Sequence, residues 1–117
     1  MMNIKRFKAI IREREQTDDE WAEGVQKCQE ELVSVLCEDF DSTLQYLRSE
    51  CTADEFSWIS EVFDEIAIRT QSREFIDVLR VLAEKYPEEA KEYNIIPFID
   101  SAECQLDQMN TSDEQQA

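Results

Sequence analysis

Apolar residues recur along this chain at spacings of three and four. Ile4, Phe7 and Ile11 predict a short amphipathic helix over residues 3–15. Trp21, Val25, Cys28, Leu32 and Leu36 predict a second, and Phe40, Leu44, Leu47 and Cys51 a third. Phe56, Ile59, Val62, Phe63, Ile66 and Ala67 mark a fourth. Phe75, Leu79, Leu82 and Tyr86 mark a fifth, and Phe98, Ala102 and Leu106 a last, with Pro97 in its first turn. Polar signals punctuate these stripes. "TDDE" at 17–20 and "TADE" at 52–55 read as capping boxes, in which the Thr hydroxyl accepts a backbone N–H and the Glu reaches back. In "QSRE", at 71–74, Ser72 is the expected N-cap. Pro87 forces a break, because the residue before proline avoids the helical region, and "PEEAKEYN" reads as a short turn. From about Asp107 the tail, "DQMNTSDEQQA", has no large apolar residue beyond Met109 and is expected to be disordered.

These elements imply an all-α fold: a single domain of about six short amphipathic helices, stacked as antiparallel helical hairpins. One glycine and two prolines are too few for the turns of a sandwich or barrel. At 117 residues there is room for one compact core. Asp39-Phe40, Leu44, Leu47 and Cys51 correspond to Glu74-Phe75, Leu79, Leu82 and Tyr86 at a constant offset of 35, the period of helical-hairpin repeats. Any two amphipathic helices can be slid into such register, so repeat and coincidence both stay open. Gly24 inside a helix costs about 1 kcal/mol against alanine, and a close helix crossing is the expected compensation.

Charge divides the chain further. The net charge is −16, yet residues 1–16 hold five bases and two acids, for +3, which leaves −19 on the remainder. The expected organisation is a basic N-terminal helix (1–16), an acidic helical body (17–106) and a tail (107–117). So acidic a body repels phosphate backbones, which argues against direct nucleic-acid binding and for a basic protein partner. The N-terminal apolar run is broken at Lys8 and too short for a signal core or a membrane span, so a cytoplasmic protein without membrane contact is expected.

Little catalytic chemistry is on offer. There is no histidine, so no histidine base or ligand. Cys28, Cys37, Cys51 and Cys104 are irregularly spaced, without a Cys-x-x-Cys pair, and read as reduced thiols rather than a metal site. A phosphate-cradling loop or an EF-hand would need glycines that the chain lacks. No catalytic residue, cofactor or metal is expected.

The acids around Trp58 are the feature that calls for explanation. On a helical wheel of about 100° per residue, Asp54, Glu61 and Glu65 lie opposite the apolar stripe, Asp64 beside them, and Trp58 at the seam. Of these only Glu65 has a base four residues on, Arg69. Glu61 faces Glu65, a like-charge pair that costs a few tenths of a kcal/mol in an isolated helix. Two readings follow: a face that binds a basic protein, with Trp58 as its aromatic edge, or a solvated acidic surface beside a packed Trp58.

Residues 55–89 add a resemblance. Trp58, Ser60, Glu61, Phe63 and Asp64, then Thr70, Gln71, Ser72, Glu74, Phe75 and Ile76, then Lys85, Tyr86, Pro87 and Glu88 resemble a W-x-S-E-x-F-D, T-Q-S-x-E-F-I and K-Y-P-E pattern. That pattern is similar to small helical immunity proteins of bacterial toxin–immunity systems, including contact-dependent growth inhibition. It covers about a third of the chain well, and residues 1–38 add nothing to it. The resemblance implies a 1:1 complex with a cognate basic toxin domain, many such toxins being nucleases. Asp54, Trp58, Glu61, Asp64 and Glu65 are the expected contact residues. The alternatives are an acidic nucleic-acid mimic that blocks several basic proteins, and a carboxylate-dependent hydrolase.

Overall fold

The computed structural model describes residues 1–106 in full and, from 107 to 116, the backbone alone. The tail expected to be disordered, 107–117, lies outside the fully described residues. Among the described residues the chain is all-α. Its helices are α1 (Ile4–Gln16), α2 (Ala22–Cys37), α3 (Phe40–Ser49), α4 (Ala53–Ile59), α5 (Phe63–Thr70), α6 (Arg73–Lys85), α7 (Pro87–Glu92) and α8 (Ile95–Gln116), with one 3₁₀ turn, Ser60–Val62, between α4 and α5. Contacts divide the chain into two compact units, Met1–Cys51 and Thr52–Ala117. In the first unit α1 makes its main contacts with α2.

In the first unit, Phe7, Ile10 and Ile11 of α1 are buried, as are Cys28, Leu32 and Leu36 of α2 and Leu44 and Leu47 of α3. Phe7 meets Tyr46 edge-on, with centroids 5.6 Å apart. The carbonyl of Leu36, near the end of α2, accepts a 2.6 Å bond from the buried Thr43 hydroxyl. That answers the acceptor that a helix C-terminus leaves open. Asp39 caps α3, accepting from the Ser42 hydroxyl at 3.0 Å. Asp39 also takes an ion pair from the Met1 ammonium. The ammonium and then Ser42 hold its carboxyl below the usual range.

The expected capping box at 17–20 does not form. The Thr17 hydroxyl donates to the Glu13 carbonyl at 2.7 Å and closes α1, and α2 starts only at Ala22. Asp18 accepts instead from the Glu20 amide at 2.9 Å, a local turn. Gly24 is buried, and the Trp21 ring lies against it.

The second unit is built on an aromatic row. Phe63 lies 5.9 Å from Phe56 and 6.1 Å from Phe75, centroid to centroid. Around it Ile59, Ile66, Ile76, Leu79 and Leu82 are almost wholly buried. α8 packs chiefly on α5 and α6. Its buried stripe is Ile95, Ile99, Ala102 and Leu106, whereas Phe98, expected inside, is 47 % exposed. The expected turn after Pro87 is α7, with the proline at its start. There its fixed φ suits the helix and its missing N–H leaves no gap. The offset of 35 does not extend to the caps: Asp39 is the N-cap of α3, while Glu74 lies inside the first turn of α6, which Ser72 caps.

Candidate binding face

The expected box at 52–55 is present with both of its bonds. Thr52 Oγ1 accepts the Glu55 amide at 3.1 Å, and Glu55 Oε1 accepts the Thr52 amide at 3.2 Å. This fixes where α4 begins and leaves Asp54 exposed in its first turn. Phe56 and Ile59 are buried, which leaves Trp58 half-buried at the margin. α4 then ends. The Ser60 amide is shared between the Phe56 and Trp58 carbonyls, and Val62 takes φ −122°, ψ 14°, outside helical values. The 3₁₀ turn carries Glu61, which is exposed. α5 restarts at Phe63, with Asp64 and Glu65 in its first turn.

The five expected contact residues are thus spread over two helices and a turn. Glu61 and Glu65 are exposed, but Asp64 is half-buried and accepts from the Ser101 hydroxyl at 3.0 Å, which ties α5 to α8. Asp54 falls into a different group, beside α7. The Tyr93 phenol is held above its ordinary pKa first by Glu92, then by Glu89, by burial and by Asp54. Glu89, Glu92 and the 52 % exposed Tyr93 therefore extend the acidic surface past the residues expected to form it. The sequence signal for this part of the surface is a proline followed by two glutamates, which suits the first turn of a helix.

Bases are few near this surface: Arg69 stands four residues beyond Glu65, and Lys91 lies between Glu89 and Glu92. No lysine or arginine occurs between Arg48 and Arg69, a stretch with six acids. Unit two has sixteen acids and five bases, net −11. Two of those bases are engaged by α8: Arg80 meets Asp100 and Glu103 at 3.1 Å each, and Arg73 meets Glu103 at 3.5 Å. The Asp100 bond leads in holding the Arg80 guanidinium more firmly protonated than usual.

Among the described residues, no group of three or more His, Cys, Asp or Glu side chains is arranged to hold a metal ion. The four cysteines are free thiols, Cys28 and Cys51 buried, Cys104 exposed. No described helix is long and apolar enough to cross a membrane. Comparison with known protein families, with curated proteins and with solved structures finds no match.

Proposed function

We propose that this chain is an immunity protein: a cytoplasmic, non-enzymatic inhibitor that binds one cognate basic toxin domain, a nuclease, in a 1:1 complex. The observation that carries the reading is the uncompensated charge of the second unit, where sixteen acids face five bases. A nuclease is cationic where it holds its substrate, so an anionic inhibitor is steered to it and competes for its phosphate sites. Glu61 and Glu65 supply exposed charge, Asp54 continues it toward Glu89 and Glu92, and Trp58 lies at the apolar margin. The resemblance of residues 55–89 supports the same reading.

The test takes a basic nuclease domain encoded by a gene adjacent to this chain's, where the genome holds one, and uses calorimetry at two salt concentrations. One-to-one binding that weakens with salt is expected, along with protection of cells that make the toxin. Glu61→Lys, alone and with Glu65→Lys, should slow association and lower affinity. No binding, or binding unchanged by both reversals and by salt, rules the face out. Equal binding to several unrelated basic nucleases would instead support the mimic.

A further inference from the structure

Trp21 does not follow its stripe. Its spacing places it on the buried face of α2, yet it is 60 % exposed and stands at the N-cap. The ring lies against Gly24: a Cβ built there would come within 2.2 Å of Cε3 and 2.6 Å of Cζ3. Gly24 is the chain's one glycine, and it falls where it lets the indole seat on the helix. The backbone on either side is also held. The Trp21 amide donates to the Asp18 carbonyl at 2.9 Å, and the Val25 amide to the Trp21 carbonyl at 3.1 Å. Arg14, only 6 % exposed, reaches Asp19 at 2.9 Å and pins the connection to α1. The indole is therefore held in place before any partner arrives, with most of its surface toward solvent.

The sequence beside it is predominantly acidic. Between Arg14 and Lys27 there is no base, and there are five acids. Asp19 is taken by Arg14 and one oxygen of Asp18 accepts the Glu20 amide, and Asp18, Glu20 and Glu23 are all exposed next to the ring in sequence. The positive end of α2 opposes a cation by only about half a charge. Three carboxylates outweigh it.

We propose that this corner, Trp21 seated on Gly24 with Asp18, Glu20 and Glu23, is a docking surface for an arginine side chain of a basic polypeptide. The guanidinium stacks on the open part of the indole and donates to the carboxylates around it. A planar, weakly hydrated guanidinium suits a flat ring better than a compact ammonium does. The surface uses none of the residues of the α4–α5 face, and it stands whether or not that face binds a toxin.

The probe is a nona-arginine peptide, with nona-lysine for comparison, titrated into the full chain. In a Trp58→Phe background the emission reports Trp21 alone. The expected result is a saturable change in that emission, with arginine bound more tightly than lysine. By calorimetry, Trp21→Ala should weaken arginine binding about two- to fivefold and erase the preference over lysine. Gly24→Ala, which displaces the ring and changes no charge, should do the same, and Trp21→Phe should retain part of the preference. Circular dichroism checks that α2 persists, and Trp21→Phe serves if the smaller side chain does not fold. Equal affinity in wild type, Trp21→Ala and Gly24→Ala, or equal binding of the two peptides, overturns the proposal and leaves only diffuse attraction. Glu61→Lys with Glu65→Lys should leave the Trp21 response intact, so failure of the toxin-binding face and failure of this one are separable.

Discussion

Phe63 is the middle ring of the second unit's core, and its removal gives a sharp test of that packing. It is 1 % exposed, tilted 38° to Phe56, and meets Phe75 edge-on at 85°. Phe63→Ala loses the transfer energy of the ring and leaves a cavity, together about 3–5 kcal/mol. Contacts between rings contribute about 0.5–1.5 kcal/mol beyond buried area, and Phe63 makes two. The expected loss is therefore in the upper half of the range, about 4–5 kcal/mol. A unit the length of Thr52–Ala117 carries roughly 3–10 kcal/mol in total, so the variant should keep no more than about 5–6 kcal/mol and, toward the lower end of that range, be unfolded at 25 °C. Phe63→Leu keeps most of the buried carbons and should cost about 1–2 kcal/mol. The assay is urea unfolding followed by Trp58 emission in a Trp21→Phe background, since Trp58 belongs to the same unit. A loss under about 2 kcal/mol for Phe63→Ala, with an unchanged denaturant slope, would refute the packing described for this row.

Thr52→Ala should lower stability by about 1 kcal/mol in the same assay, because it breaks the reciprocal bonds with Glu55. Thr52→Ser keeps the accepting oxygen and should recover most of the loss. Tyr93 should titrate above the ordinary 10.0 when followed by ultraviolet absorbance, and Glu92→Gln should lower its midpoint more than Asp54→Asn does. Since the folded pKa is the raised one, this contribution to stability is complete below the unfolded tyrosine range and is lost as pH rises through the folded midpoint.

Where the sequence resolved an element, one physical signal dominated. The stripes of α3, α4–α5 and α6 put Leu44, Leu47, Phe56, Ile66, Leu79 and Leu82 inside, and all are buried. Ser72 and Thr52 cap as expected, because each stands alone before its helix. Helix starts are ambiguous in the sequence where two signals overlap. Thr17 has the chemistry of an N-cap, but its hydroxyl is close enough to the end of α1 to bond the Glu13 carbonyl. With the start moved to Ala22, Trp21 lies outside the helix, and the wheel that put it inside does not apply. Pro87 and Pro97 differ in a similar way. Pro87 opens α7, whereas Pro97 is the third residue of α8, so the stripe starts at Ile95 and Phe98 turns outward. A proline limits which residues can precede it; it does not fix which residue begins the helix.

The candidate face shows how a break in a helix changes the meaning of charge. On one continuous helix from 53 to 70, Asp64 and Glu65 would be mid-helix acids next to Glu61, and the shortage of bases four residues on would count toward a partner. The 3₁₀ turn makes them first-turn residues of α5, as Asp54 and Glu55 are of α4. A carboxylate at a helix N-terminus is favoured by about 0.3–1 kcal/mol, so these four have a local reason to be acidic. Glu74, Glu88 and Glu89 share it in α6 and α7. Seven of the unit's sixteen acids are accounted for in this way, which leaves nine against five bases. Neutralising a first-turn acid will lower stability as well as any affinity, and the two effects will be entangled. Glu61 lies in the 3₁₀ turn and in the first turn of neither α-helix. It is the position on this face where a change in binding can be read with least interference from the helix ends.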